Sequence, residues 1–197
     1  SIFLQVAEQQ ERSLVRKMPA DVLAGRVIPT PVEQLEHSAD FIIPAYGKIM
    51  TGENLSRSGD VVVVSVNHRL NVLGYCDLSE FGEEYKNSGN AGTSDMVAAL
   101  QWIHRNIAAF GGDPGNVTIF GQSGGGMKVT ALLQTPAADG LYHKGFIMSG
   151  VQGGALFDCV GSGRQMGELM MESLGVKTAK ELEEAPYQDL VRAFKDM

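Results

Sequence analysis

The stretch VTIFGQSGGGMKV, residues 117–129, decides the fold. Its first residues are apolar and β-branched or aromatic, as in a buried strand, and the residues after the glycines have the composition of a helix. Ser123 lies at the junction, with glycines two positions before and two positions after it. A turn of this sharpness puts a serine into strained backbone angles at the end of a strand. The stretch therefore predicts an α/β fold with Ser123 at the carboxyl end of the sheet, where such folds form their crevice.

The surrounding segments continue the alternation of strands and helices. DVVVVSVN, residues 60–67, predicts a strand buried on both faces, and GFIMSG, residues 145–150, predicts a further strand. Between them, TSDMVAALQWIHRNIAAFGG has apolar residues at helical spacing, and we expect Thr93 or Ser94 to cap its start and Gly111 to end it. This order of elements predicts a mostly parallel sheet with helices on both faces.

The two ends of the chain differ from this core. Residues 1–18 mix apolar residues with glutamine and charged residues, which predicts a helix, and the prolines that follow leave no lasting period. We therefore interpret residues 1–50 as an irregular N-terminal region and residues 51–197 as the α/β core portion with a helical C-terminal tail. Within that tail, Thr178 and Glu181 have the spacing of a capping box at the start of a short helix.

The composition excludes several classes of partner. A chain of 197 residues with 44% hydrophobic residues can bury a sizeable core. A net charge of −7 without a basic run argues against nucleic acid or an anionic membrane surface as a partner. No apolar run is long enough to span a bilayer, and the start lacks a signal-peptide pattern. Two cysteines, Cys76 and Cys159, are too few and too far apart for a disulfide framework or a metal knuckle, so we expect a reducing, cytoplasmic location.

Ser123 and Gly124 are the candidate catalytic residues. A helix that begins just after Ser123 directs its free amide hydrogens and its positive dipole end toward the serine hydroxyl. We therefore predict Ser123 as a nucleophile and the Gly124 backbone amide as an oxyanion-hole donor. A glycine-rich phosphate-binding turn in a nucleotide-binding protein is the weaker interpretation. No Lys-Ser/Thr pair follows at the required spacing, and the glycines do not have the dinucleotide-binding layout.

Three longer segments carry a resemblance to a known family. They are VVVVSVNHRLNVLGY (residues 61–75), NAGTSDMVAALQWIHRNIAAFGGDPGNVTIFGQSGGG (90–126) and TPAADGLYHKGFIMSG (135–150). Together they resemble the type-B carboxylesterases, which include para-nitrobenzyl esterases and cholinesterases. The resemblance implies an α/β-hydrolase fold, a nucleophilic serine in a nucleophile elbow, carboxylic esters as substrates, and no metal or organic cofactor. Gln122 and Gly124 depart from the family pattern, which commonly has Glu and Ala there.

The resemblance also identifies framework residues. Asn67, Arg69 and Asp95 match positions that hold the fold together in this family. We expect Arg69 to form a structural ion pair with Asp95 rather than to contact substrate.

Two parts of the family's catalytic machinery are not recognised in the sequence. A serine esterase of this fold needs an acid and then a histidine after the nucleophile. The only histidine after Ser123 is His143, which we interpret as structural, as we do the earlier His37, His68 and His104. The region where the family has an HGGGF-type loop reads VEQLEHSADFIIPAYGKIM, residues 32–50, without the glycines. The sequence therefore indicates an α/β-hydrolase fold that is incomplete, from a partial or rearranged chain.

Two functional hypotheses follow. The first is a serine carboxylesterase that hydrolyses small-molecule carboxylic esters through an acyl-enzyme on Ser123. The alternative is a non-catalytic esterase-like module or an inactive fragment that needs a complementary segment. A complementary chain segment or a second copy of the chain is the expected protein partner.

Overall fold

The computed structural model of the chain describes residues 2–6, 52–150 and 163–196. Within these residues, four strands form one sheet: β1 Ile2–Val6, β2 Val62–Val66, β3 Val117–Gln122 and β4 Lys144–Met148. The helices of the same residues are α1 Glu53–Gly59, α2 Asn71–Tyr75, α3 Ala91–Asn106, α4 Gly124–Leu132, α5 Gly163–Leu174, α6 Ala179–Glu184 and α7 Tyr187–Asp196. Short 3₁₀ turns connect several of them. The class is therefore α/β, as the sequence predicts.

The sheet is parallel throughout and has the order β2-β1-β3-β4. The strand nearest the N-terminus lies in the middle, because Ile2 pairs with Val62 on one side and with Val117 on the other. The helix predicted for residues 1–18 is therefore wrong over residues 2–6. Backbone pairing with two neighbours decides the conformation of this segment, and local helical preference does not. The rest of that predicted helix lies outside the described residues.

The described chain divides into two compact units, and the first contains the sheet. It comprises the described residues up to Asn67 and residues 97–150. In β3, the consecutive residues Val117, Thr118 and Ile119 are all buried. Because successive side chains of a strand point to opposite faces, both faces of β3 are covered, as in sheets with helices on both sides. Helix α4 packs against β1, β3 and β4, and α1 packs against β2.

Helix α3 begins and ends by different means. It starts at Ala91, directly after a 3₁₀ turn at Ser88–Asn90, so Thr93 and Ser94 lie inside it and the predicted cap is wrong. After Asn106 the chain tightens into a 3₁₀ turn that ends at Gly111, which has φ 79°. The predicted stop at this glycine is confirmed, since a left-handed residue closes the turn without steric cost.

The second unit comprises residues His68–Met96 and Gln152–Met197, of which residues 152–162 and 197 lie outside the described part. Its core is a cluster of buried apolar side chains: Cys76, Leu78, Met170, Met171, Ala179, Leu182 and Ala193.

The predicted capping box is confirmed. The Thr178 hydroxyl accepts from the Glu181 amide, and the Glu181 carboxylate accepts from the Thr178 amide. The two bonds satisfy donors that would otherwise be unpaired at the start of α6.

The predicted ion pair between Arg69 and Asp95 is confirmed within this unit. The Arg69 Nε and Nη2 atoms lie 2.8 and 2.7 Å from the two Asp95 carboxylate oxygens. The Arg69 backbone amide donates to the same carboxylate at 2.9 Å. Burial of Asp95 raises the pKa of its carboxyl, but the hydrogen bonds and the charge of Arg69 outweigh burial and leave the pKa below its ordinary value. The pair joins the loop after β2 to the first half of α3.

The predicted boundary near residue 50 falls among residues 7–51, which lie outside the described part of the chain. Residues 32–50, where the family has an HGGGF-type loop, lie there too, as does His37.

Candidate active site

Ser123 lies in the one-residue turn between β3 and α4. Its backbone angles are φ 53° and ψ −121°, and its side chain is exposed. An L-residue rarely adopts a positive φ, and holding one there costs on the order of 1–3 kcal/mol, which the surrounding structure must offset. The local geometry predicted from the sequence is therefore confirmed: a strand, a strained serine and then a helix. The catalytic role of Ser123 remains a prediction.

Hydrogen bonds from both sides fix the backbone of Ser123. Its amide donates to the carbonyl of Met148, the last residue of β4, at 2.8 Å, and its carbonyl accepts from the Met127 amide at 3.0 Å. Because the Ser123 amide already donates to a carbonyl of β4, it is not available to bind an anion. The next amide, that of Gly124, is in the first turn of α4, where amides have no acceptor within the helix. Gly124 is therefore the first residue after the serine that can offer an amide to an anion, aided by the helix dipole.

Close backbone packing explains the glycines on either side of the serine. A Cβ placed on Gly121 would lie 2.9 Å from the Gly126 nitrogen and still closer to the Gly125 carbonyl. A Cβ on Gly126 would lie 2.9 Å from both the Met148 oxygen and the Gly150 Cα. The first turn of α4 therefore rests directly on the ends of β3 and β4, and no side chain fits between them.

The sequence reasoning missed a second strained serine and a bridging threonine. Ser149, directly after β4, has φ 54° and is exposed, so the two neighbouring strands both end in a serine with positive φ. The Thr130 hydroxyl lies 3.1 Å from the Gly126 carbonyl oxygen and 3.2 Å from the Gly150 carbonyl oxygen. The repeated pattern of strand, Ser and Gly in FGQSG and IMSG was a usable signal for Ser149. Nothing in the sequence points to the partner of Thr130.

The described histidines have different surroundings. The Nδ1 atom of His143 accepts from the Val117 amide at 3.1 Å, and the His143 amide donates to the Val117 carbonyl at 2.8 Å. Val117 begins β3 whereas Ser123 follows its end, and the six residue steps between them span roughly 20 Å. The structural interpretation of His143 is therefore confirmed. His104 is exposed on α3, and His68 belongs to the second unit, where its Nδ1 lies 2.9 Å from the Arg69 carbonyl oxygen.

Other kinds of site are not found in the described part of the chain. No group of three or more His, Cys, Asp or Glu side chains in residues 2–6, 52–150 and 163–196 is arranged to hold a metal ion. Cys76 is buried, and burial, with the nearby charge of Asp77, raises the pKa of its thiol to about 11, so it is not activated as a nucleophile. Among the helices described, none combines the length and the apolar character needed to cross a membrane.

Comparison with known proteins gives a consistent result. The family model described as "Carboxylesterase family" matches residues 35–196. The chain is 46% identical over 121 residues to the para-nitrobenzyl esterase of Bacillus subtilis, covering 61% of this chain and 24% of the relative. It is 44% identical over 133 residues to human carboxylesterase 3, covering 68% of this chain and 22% of the relative.

Solved structures agree. An esterase from Clostridium hathewayi, described as able to hydrolyse aliphatic aromatic polyesters, has 58% identity and a TM-score of 0.70 over 76% of this chain and 30% of its own. A Geobacillus stearothermophilus carboxylesterase has 39% identity and a TM-score of 0.62 over 72% of this chain and 30% of its own. The chain thus has part of the α/β-hydrolase fold of these esterases, which agrees with the incomplete fold that the sequence predicts. The chain spans between 22% and 30% of the length of these four proteins.

Proposed function

This chain belongs to the carboxylesterase family, and from that premise we propose that it carries the nucleophile of a serine esterase, Ser123. The observation that carries the proposal is the geometry of this one residue. Ser123 has φ 53°, is exposed, and lies at the carboxyl end of a central parallel strand and at the N-terminus of a helix. A serine held in strain at this position presents its hydroxyl to a substrate instead of packing it against the sheet.

The reaction would proceed in two steps. The Ser123 Oγ attacks the ester carbonyl carbon while its proton passes to a base, and the carbonyl oxygen becomes an oxyanion. The Gly124 amide, free in the first turn of α4, donates to that oxyanion, and the tetrahedral intermediate collapses to an acyl-serine with release of the alcohol. Water then hydrolyses the acyl-serine to the carboxylic acid and regenerates the hydroxyl. Removing one oxyanion donor from such a site costs about 3–4 kcal/mol of transition-state stabilisation.

The proton acceptor is not assigned to a residue of this chain. His143 is held at the opposite end of β3 from Ser123 by two hydrogen bonds to Val117. Carboxylic esters are the proposed substrate class, since this is the chemistry that the family description and the names of the relatives share. We also propose a cytoplasmic location. The proposed partners are a small-molecule ester and either a complementary chain segment or a second copy of the chain.

A fluorophosphonate probe tests the nucleophile directly, because it forms a covalent bond only with an activated serine. We expect the chain, together with the complementary segment that supplies the proton acceptor, to gain the mass of one phosphonyl group, and peptide mapping to locate it on Ser123. Ser149 is the internal control in the same experiment and should not be labelled. It is also exposed and has a similar φ of 54° at the end of the neighbouring strand. Hydrolysis of a short-chain nitrophenyl ester, lost in Ser123→Ala, would support the same conclusion.

Two results would overturn the proposal. A phosphonyl group on Ser149 or any other residue would show that strained, exposed geometry does not identify the nucleophile. A folded chain that neither reacts with the probe nor hydrolyses the ester would favour the alternative, a non-catalytic esterase-like module or an inactive fragment that needs a complementary segment. Cooperative thermal unfolding shows in either case that the chain tested is folded.

A further inference from the structure

Thr130 makes an unusual pair of contacts for a threonine inside a helix. Its hydroxyl lies 3.1 Å from the Gly126 carbonyl oxygen, four residues earlier in α4. Threonines in helices commonly make this bond, so the bond alone does not indicate a special role for Thr130. The same hydroxyl also lies 3.2 Å from the carbonyl oxygen of Gly150, which is outside the helix and twenty residues away in sequence. A hydroxyl has a single proton, so the two carbonyls share one donor.

The segment that Thr130 reaches is the one that holds the nucleophile. Met148 ends β4, and its carbonyl accepts the Ser123 amide at 2.8 Å. Gly150 follows it by two residues, with the strained Ser149 between them at φ 54°. The Thr130 hydroxyl and the Ser123 amide therefore bond to carbonyls at the two ends of one three-residue segment. Both bonds join α4 and its preceding turn to the end of β4.

The packing leaves this segment little room to move independently. Gly126 and Gly150 are in direct backbone contact, since a Cβ on Gly126 would lie 2.9 Å from the Gly150 Cα. Both glycines are buried. A displacement of the Gly150 carbonyl away from Thr130 would therefore be transmitted to Met148, and so to the bond that fixes the backbone of Ser123.

We propose that Thr130 is a positioning residue for Ser123. Its hydroxyl holds the Met148–Gly150 segment against α4, and through the Met148 carbonyl it maintains the strained backbone from which the serine side chain projects. The inference rests on the proposed function for its catalytic consequence, but not for the structural link. Thr130 does not contact the substrate in this role.

Amide hydrogen exchange of Ser123 measures this link without requiring catalysis. Thr130→Val keeps the shape of the side chain and removes the hydroxyl, whereas Thr130→Ser keeps the hydroxyl. Thr135→Val is the matched control, because the Thr135 hydroxyl makes the same kind of bond, to the Ala131 carbonyl at 2.8 Å. We expect the Ser123 amide to exchange about 3- to 10-fold faster in Thr130→Val, the range that loss of one hydrogen bond gives. It should exchange at the wild-type rate in the other two variants.

Three results would overturn the inference: a wild-type exchange rate in Thr130→Val, an equal acceleration in Thr135→Val, or an acceleration in Thr130→Ser as large as in Thr130→Val. Should Thr130→Val not fold, Thr130→Ser decides alone. Retained protection of the Ser123 amide then supports a role of the hydroxyl, and lost protection points to the methyl group and contradicts it.

The rate of phosphonylation separates this inference from the proposed function. If wild-type Ser123 reacts with the fluorophosphonate, we expect the rate constant in Thr130→Val to fall about 3- to 10-fold, with recovery in Thr130→Ser. If Ser123 reacts equally fast in wild type and in Thr130→Val, the positioning role of Thr130 is wrong, but Ser123 is still the nucleophile. If wild-type Ser123 does not react, the proposed function fails, and the exchange experiment still tests the link between Thr130 and Ser123.

Discussion

The substitution Gly121→Ala tests whether close backbone contact builds the turn around Ser123. The new Cβ would lie 2.9 Å from the Gly126 nitrogen and closer still to the Gly125 carbonyl. Overpacking in a core costs about 1–3 kcal/mol, and the upper end applies here because backbone atoms cannot rotate away as a side chain can. A loss of about 3 kcal/mol corresponds to a fall in melting temperature of roughly 6–12 °C for a chain of this size.

Gly145→Ala is the matched control for this measurement. Gly145 lies on the neighbouring strand β4, and its Cβ would meet Leu133 and Val129 at 3.5 and 3.8 Å, which are ordinary van der Waals distances. Alanine should be tolerated there, or should stabilise the strand by about 0.5 kcal/mol. The free energies of unfolding come from urea titration of both variants. Equal stability of Gly121→Ala and wild type, or an equal loss in Gly145→Ala, would refute the packing argument.

Three further predictions concern the second unit. Asp95→Asn should lower stability at pH 7 by about 1 kcal/mol, because its ion pair with Arg69 is partly exposed. The pKa of Asp95 is lowered from 3.8, so wild type should lose this advantage in pH-dependent unfolding as the pH falls below 3.8. Thr178→Ala should cost about 1 kcal/mol in thermal unfolding, through loss of the capping box. In a Cys159→Ser background, native Cys76 should react with a disulfide reagent at pH 8 at least about tenfold more slowly than the urea-unfolded chain, since burial raises its pKa to about 11. Equal rates would contradict that burial.

The elements around Ser123 could be predicted because local sequence determines them. VTIF has the composition of a buried strand, the glycines permit the turn, and GGMKVTALL continues as a helix. The end of α3 at Gly111 and the capping box of Thr178 were predictable for the same reason, since each depends on a few neighbouring residues. Structural features that depend only on neighbouring residues can therefore be predicted from the sequence without knowledge of the fold.

Features that depend on distant partners could not be predicted. Ile2–Val6 is a strand because it pairs with β2 and β3, whereas the mixed composition of residues 1–18 as a whole predicts a helix. The sequence predicts a cap at Thr93 or Ser94, which is too late, because the 3₁₀ turn at Ser88–Asn90 leads directly into α3 at Ala91. The second contact of Thr130 depends on Gly150, which only the sheet brings near it. In the candidate site, the turn at Ser123 is therefore predictable from the local sequence, whereas the contact between Thr130 and Gly150 depends on the fold.

The strand order has a consequence for the synthesis of the chain. β1 is the first of the four strands to leave the ribosome, yet its neighbours are β2 and β3, and Ile2 pairs with both Val62 and Val117. At about 5–20 residues per second, one edge of β1 stays unpaired for roughly 5–20 s, until β3 has emerged. During that interval the nascent chain exposes backbone donors and acceptors that other chains can bind. Chaperone binding to the nascent chain should therefore be strongest before β3 emerges and should fall once β3 pairs with β1.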